Sequence, residues 1–197
     1  MSDESEAAMS THAAVVRTTP IVPPGRWVVD PTHSNVEFAV KHMGIATVRG
    51  KFTAFEGTLA IANELHDSKA FGKVRVASIT TADETRDAHL RSADFFGADV
   101  YPEIAFESTR IEAIDADSSQ VFGNLTMHGV TREVKLEVLI HGTEEDPWGN
   151  TRVGLEAVGV IKRSDFDMKF NQVIGSGNML VGDKVSVSLD ISAVKQA

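Results

Sequence analysis

The chain of 197 residues contains no cysteine. A disulfide framework, a thiolate metal site and a cysteine nucleophile are therefore excluded, and cysteine usage says nothing about redox compartment. A single tyrosine and two tryptophans stand against ten phenylalanines, so the aromatic area comes with few polar handles. Lys and Arg number 19 against 28 Asp and Glu, a net charge of −9. Without clustered cations no nucleic-acid partner is expected, and solubility is the simpler use of the charge. No apolar run approaches the length that spans a bilayer. The leading residues have neither the basic nor the apolar segment of a signal peptide, so the expected compartment is the cytoplasm. A phosphate-cradling Gly-x-x-x-x-Gly-Lys loop and a Gly-x-Ser-x-Gly elbow are both absent. Gly175-Ser176-Gly177 sits in a loop-like stretch without strand-turn-helix context.

What is present is a period of two. Val185, Val187, Leu189 and Ile191 alternate with Ser186, Ser188, Asp190 and Ser192. The same alternation runs through Val36 to Val40 and Val134 to Ile140. These read as half-buried antiparallel strands. Further candidates are 48–55, 58–61, 73–79, 103–111, 120–127 and 152–161, separated by turn residues such as Gly57, Gly129 and the Asp146 to Asn150 run. About eight or nine strands fit either a sandwich or an up-and-down barrel. The last strand favours the barrel, because a long apolar-faced edge invites aggregation and closure removes it. Residues 1–24, rich in Ser, Thr, Ala and Pro, are expected to be a disordered tail, and 25–197 one domain.

One segment breaks the pattern. Thr81 and Glu84 have capping-box spacing, which predicts a helical insert near 82–96. In it Arg86 and His89 share one face, and Asp87 and Arg91 are spaced to pair on another. His33, His42, His89 and His128, with Asp30, Glu84 or Asp87, supply metal-ligand chemistry but no ligand spacing, so no metal is assigned. His33 and His42 read as strand-end or loop histidines bonded to backbone.

Several blocks together resemble the YceI-like family of lipocalin-like proteins. They are Trp27 to Ser34, Phe38 to Gly44, Val48 to Phe52, Ser78 to Thr81, Arg86 to Ser92, Asp94 to Phe96, Tyr101 to Thr109, Gly123 to Thr131 and Arg163 to Phe166. The resemblance covers 25–194. It implies an all-β, eight-stranded antiparallel barrel whose apolar interior binds a long polyisoprenoid chain, in some members the tail of an isoprenoid quinone. It implies a binding protein that carries, stores or sequesters lipid, not an enzyme, with no cofactor beyond the ligand. The family pattern often has glycine after Arg-Ser-Asp-Phe, where this chain has Asp167, a residue less tolerant of left-handed backbone.

The ligand-binding candidates are Phe38, Phe52, Phe106 and Phe122 in predicted strands, with His42, Arg86, His89 and Phe95. Phe95 and Phe96 would anchor the insert as a lid, Asp87 and Arg91 would hold it, and Arg86 and His89 would meet a headgroup. Two alternatives remain at this point: an enzyme acting on bound lipid through Arg86, Asp87 and His89, or a barrel filled by its own side chains that acts as an interaction module. A homodimer is the expected form of any self-association.

Overall fold

The computed structural model describes residues 21–175, 177 and 179–197. Among these residues the strands are β1 (Gly25–Val29), β2 (Asn35–His42), β3 (Ala46–Phe52), β4 (Phe55–Ile61), β5 (Lys69–Arg75), β6 (Ile79–Thr80), β7 (Glu103–Ala113), β8 (Ser118–Met127), β9 (Val130–Glu145), β10 (Thr151–Lys162) and β11 (Val181–Lys195), and the one α-helix among the described residues is α1 (Glu84–Arg91). All pair antiparallel in the order β1-β4-β5-β7-β8-β9-β10-β11, and β11 returns to β1. From the same β11 a second path runs through β2 and β3 to β6.

The two paths are one barrel. β1 and β2 both lie antiparallel to β11, and β3 and β4 lie antiparallel to β2 and β1 respectively. Each pair is thus one long strand broken by a bend, at 30–34 and at 53–54. A 3-10 turn at Val76–Ser78 likewise separates β5 from β6. Counting β1/β2, β3/β4 and β5/β6 as single strands gives the closed eight-stranded up-and-down barrel. The third strand starts at Lys69, ahead of the expected Lys73, and turns at Val76 where unbroken strand was expected.

The break in the first strand leaves backbone groups of β11 without a strand partner, and the Asp30 amide and the Ser34 side chain supply them. The Asp30 amide donates to Ser192 O at 2.8 Å. Ser34 Oγ accepts from Ser192 N at 3.0 Å and donates to Ser192 O at 3.2 Å. Asp30 also organises the loop: Oδ1 accepts from Thr32 N (3.0 Å) and Thr32 Oγ1 (2.6 Å), and Oδ2 faces His33 Nδ1 (2.8 Å). Arg152 of β10 then ties the loop to the β9–β10 turn. Its Nη1 donates to Asp30 Oδ2 at 2.7 Å and its Nε to Asp146 Oδ2 at 2.8 Å.

Solid packing is concentrated in two clusters formed by strand ends. At one end Trp27, Val22, Val153 and Ala193 are buried together, and the Trp27 indole donates to Pro23 O at 3.1 Å. The chain is thus already packed at Val22, inside the stretch expected to be tail; residues 1–20 lie outside the described residues. At the other end Met127, Phe166 and Met168 are buried with Phe96, Ile104 and Val130 around them.

The Arg152 brace predicts a pH signature. Hydrogen bonds from the Thr32 side chain and then from Arg152 and His33 hold the Asp30 carboxyl well below its usual 3.8. Burial pushes Asp146 up, but hydrogen bonds from Asn150 and Arg152 outweigh it and bring the group down to about 2. Carboxylates with depressed folded pKa stabilise the fold above their unfolded value, and that contribution fades as the pH falls through the folded one. Urea midpoints should therefore show Arg152→Ala clearly less stable than wild type at pH 6, with the gap narrowing between about pH 4 and pH 2. A gap of constant size would contradict the brace.

Candidate functional site

The barrel interior between the two clusters is a cavity of about 350 Å³. Alternation places its walls: Val36, Phe38 and Val40 from β2, Phe55, Leu59 and Ile61 from β4, Val121, Leu125 and Met127 from β8, Val134, Leu136, Val138 and Ile140 from β9, and Val185, Val187, Leu189 and Ile191 from β11. Most of these are only half-buried although they point inward. In a filled barrel they would be fully covered by each other.

Two aromatic rings are seated by glycines on the neighbouring strand. Phe38 faces Gly50, and a methyl group added to Gly50 would lie 2.4 Å from Phe38 Cζ. Phe106 lies over Gly123 at the same 2.4 Å. The absent side chains let the rings lie flat against the wall and keep the lumen open. A register shift at Ser108/Arg110 in β7 keeps the inward pattern going from Ile104 and Phe106 to Ile111, and Ser108 Oγ accepts from Ala70 N at 2.8 Å there.

The insert closes one end differently from expectation. Asp83, not Thr81, is the N-cap of α1, its Oδ1 accepting from Arg86 N at 2.9 Å. Ala82 is left-handed at φ 61°, which sets Thr81 outside the helix. Glu84 becomes the first helical residue, so it lacks the position a capping box requires. Thr81 is instead a hub: its amide and hydroxyl donate to Asp87 Oδ1 at 2.8 and 2.6 Å, and it accepts from Arg86 through Oγ1 (2.7 Å) and its carbonyl (2.9 Å). Burial pushes the Asp87 carboxyl up, yet the Thr81 hydrogen bonds more than offset this and hold it below its ordinary value. Arg91 contributes only at longer range, so Asp87 is anchored by Thr81 and not by the expected helical ion pair.

The eight candidate residues therefore separate. Phe38, Phe52, Phe95 and Phe106 line the cavity, with Phe38 to Phe52 at 5.8 Å and Phe52 to Phe96 at 5.9 Å between ring centroids. Arg86 turns to Thr81 and away from the lumen. His89 bonds Asp94 Oδ2 at 2.9 Å with its ring edge-on to Phe95 and Phe170, on the rim. His42 ends β2 opposite Val181, outside the lining. Phe122 lies on the outer face beneath the Arg110 guanidinium, 3.8 Å from the ring centroid. The inward set of β8 is Ser119, Val121, Gly123, Leu125 and Met127. His33 belongs to the Asp30 brace, and His128 bonds Phe166 O at 3.0 Å beside Tyr101.

Phe96, expected to anchor the insert, lines the cavity beside Phe95, and so do Leu90, Met168 and Arg163, which sequence reasoning passed over. Parity along β10 continues from Ala157 and Ile161 to Arg163 and was the available signal. The turn after Phe166 forms despite the missing glycine: Asp167 takes the left-handed conformation at φ 61° and caps the 3-10 turn Arg163–Phe166.

Fold and site define a closed antiparallel barrel protein with an apolar lumen. The YceI-like domain profile matches residues 27–193. Protein YceI of Escherichia coli O157:H7 is 40% identical over 141 residues, spanning 70% of this chain and 72% of that protein. A UPF0312 protein of Staphylococcus aureus (strain N315) is 33% identical over 160 residues, spanning 79% and 90%. Among solved structures, the YceI protein of Campylobacter jejuni matches with TM-score 0.67 at 28% identity, covering 80% of this chain and 90% of that one. Burkholderia cenocepacia BcnA (TM-score 0.73, 22% identity, 83% and 98% covered) and a polyisoprenoid binding domain from Saccharophagus degradans (0.65, 14%, 86% and 98%) share the fold. The chain belongs to the YceI-like family.

The glycine seats make a contrast testable. A Cβ at Gly123 would meet the Glu107 carbonyl at 2.6 Å as well as the Phe106 ring, whereas at Gly50 it meets only side chains, Phe38 and Thr81. Backbone cannot yield as side chains can, so Gly123→Ala should lose about 2–3 kcal/mol and Gly50→Ala about 1 kcal/mol by chemical denaturation. Equal losses would contradict the seating described.

Proposed function

We propose that the barrel binds a long apolar isoprenoid-type lipid, a polyprenyl chain or an isoprenoid quinone, non-covalently along its lumen, as a carrier, store or scavenger. The observation that carries this reading is the continuous apolar cavity between the Trp27 and Met127 clusters. Its volume falls in the range of small-molecule sites, and its walls select by shape and greasiness. Burying a five-carbon isoprene unit contributes roughly 3 kcal/mol at about 0.8 kcal/mol per CH₂. A few units exceed the roughly 8 kcal/mol of micromolar affinity even after several kcal/mol of association and chain-ordering cost. The fold match to a polyisoprenoid binding domain is in keeping with this ligand class.

The competing readings lose their supports. A solid-cored module requires a filled interior, and the inward residues enclose space. An enzyme built on Arg86, Asp87 and His89 requires those groups to reach the lipid. Arg86 and Asp87 are spent on Thr81, and His89 faces Asp94 on the rim.

Organic extracts of the purified protein should yield a prenyl-containing lipid by mass spectrometry. Leu189→Trp, which fills the lumen from β11, should cut the recovered lipid at least fivefold while the barrel still folds by far-ultraviolet circular dichroism. Lipid-free extracts of wild-type protein from several expression hosts would contradict the proposal.

A further inference from the structure

The two ends of the barrel differ in charge. At the Trp27 end the turns 62–68, 112–118 and 144–150 carry two, three and three acidic residues and no Lys or Arg. At the Met127 end two loops stand side by side, 43–45 between β2 and β3 and 167–180 ahead of β11. The stretches 38–50 and 168–182 that contain most of them hold Lys41, Arg49 and Lys169 and no Asp or Glu. The neighbouring insert carries both signs, with Asp87 and Asp94 engaged by Thr81 and His89.

These loops present large apolar side chains to water. Ile45 is 80% exposed, Val173 71% and Met179 50%. Backbone bonds fix them there. Met43 and Gly44 are both left-handed (φ 54° and 75°), and Ile45 N donates to His42 O at 3.2 Å. Val173 pairs with Met179 across the longer loop, and Leu180 N donates to Gln172 O at 2.8 Å. Asn171 clamps the base of that loop, its Nδ2 donating to Val181 O at 2.8 Å and its Oδ1 accepting from Val181 N at 3.0 Å. Met43 N donates to Leu180 O at 2.9 Å and joins the two loops into one tip.

Below the tip lies a row of lysines on three adjacent strands. Lys162 of β10 stands directly opposite Lys184 of β11, and Lys41 of β2 lies opposite the bulged residues 182–184. All three are exposed. Like charges directly opposite one another destabilise a sheet, and no carboxylate among the described residues relieves them. Asp183 is the nearest acid in sequence, but its oxygens accept from Ser164 N (3.0 Å) and Ser164 Oγ (2.9 Å). Lys169, by contrast, is paired with Asp167. Projecting apolar groups above a collar of unpaired lysines suit a bilayer interface, which takes up separate side chains without a matching pocket for each while lysine heads reach the phosphates. A protein partner would need shape complementarity to each projecting group.

We propose that the Ile45, Val173 and Met179 tip, with Lys41, Lys162 and Lys184 beneath it, is a docking surface for an anionic phospholipid bilayer. Docking turns the Met168 end of the lumen toward the membrane, since Met168 and Val181 line the cavity at the base of the same loop. The assignment goes beyond the lumen reading and does not depend on what the lumen holds.

Co-sedimentation of the full-length protein with vesicles of phosphatidylcholine, alone or with about one-third phosphatidylglycerol, tests this. Wild type should partition at least tenfold more strongly to the anionic vesicles in about 0.05 M salt, and that preference should fall at least fivefold in about 0.5 M salt. A chain of net charge −9 without a grouped basic surface would instead be repelled by them. Ile45→Ser with Val173→Ser should cut binding to anionic vesicles at least tenfold. Lys41→Gln with Lys162→Gln and Lys184→Gln should reduce the anionic preference to below about threefold. All five side chains are exposed, so far-ultraviolet circular dichroism and urea midpoints should show both variants folded. Trp148→Ser, which removes an apolar side chain 79% exposed at the opposite end, should leave binding unchanged. No binding to anionic vesicles, equal wild-type binding to both compositions, or binding lost in Trp148→Ser and kept in the tip variants would overturn the docking surface.

Discussion

The structure depends on β11 closing the sheet along two segments at once. Its residues Lys184 to Val194 pair with β10, its first part pairs with β2, and its last residues pair with β1. The seam between the two segments falls at Ser192, where the ladder is interrupted and Ser34 Oγ and the Asp30 amide take over. If those groups were missing, buried backbone N–H and C=O groups would be left unpaired at the one place where the barrel must close. Closure also removes the free edge that a 15-residue apolar-faced strand would otherwise present.

Closure by itself does not make a cavity. An eight-stranded barrel is narrow enough for side chains to fill, and this one stays open through side-chain size and placement. Glycines 50 and 123 let Phe38 and Phe106 lie back against the wall. Bulk is concentrated in the Trp27 and Met127 clusters, which leaves the middle of the lumen to medium-sized aliphatic residues. The insert adds Leu90, Phe95 and Phe96 at one end, and Asp87 fixes it to Thr81. Polar chemistry near the insert is thus used to hold apolar residues in place.

The barrel was legible because its signal is local and repeated: β2, β9 and β11 each show a period of two, and the regular C-terminal strand is the one that closes the sheet. Parity along β8, where Val121, Leu125 and Met127 alternate with Asn124 and Thr126, already excludes Phe122 from the lumen. Thr81 and Glu84 satisfy the capping spacing, yet a left-handed Ala82 moves the helix start to Asp83, and no spacing rule anticipates a single backbone dihedral. Arg163 was hidden by its motif. Within Arg-Ser-Asp-Phe it reads as a turn residue, and only the closed barrel shows that its head is buried beside the lumen with no carboxylate partner among the described residues.

The central claim is that a chain occupies the lumen and touches the inward set of residues. Isotope-filtered NMR on ¹³C-methyl-labelled protein loaded with an unlabelled prenyl chain reads this directly. The account predicts cross-peaks from the chain to Val121, Leu136, Val187 and Leu189, and none to Val158 and Val160, which are exposed on the outer face of β10. Cross-peaks to Val158 and Val160 without those to the lumen would contradict it.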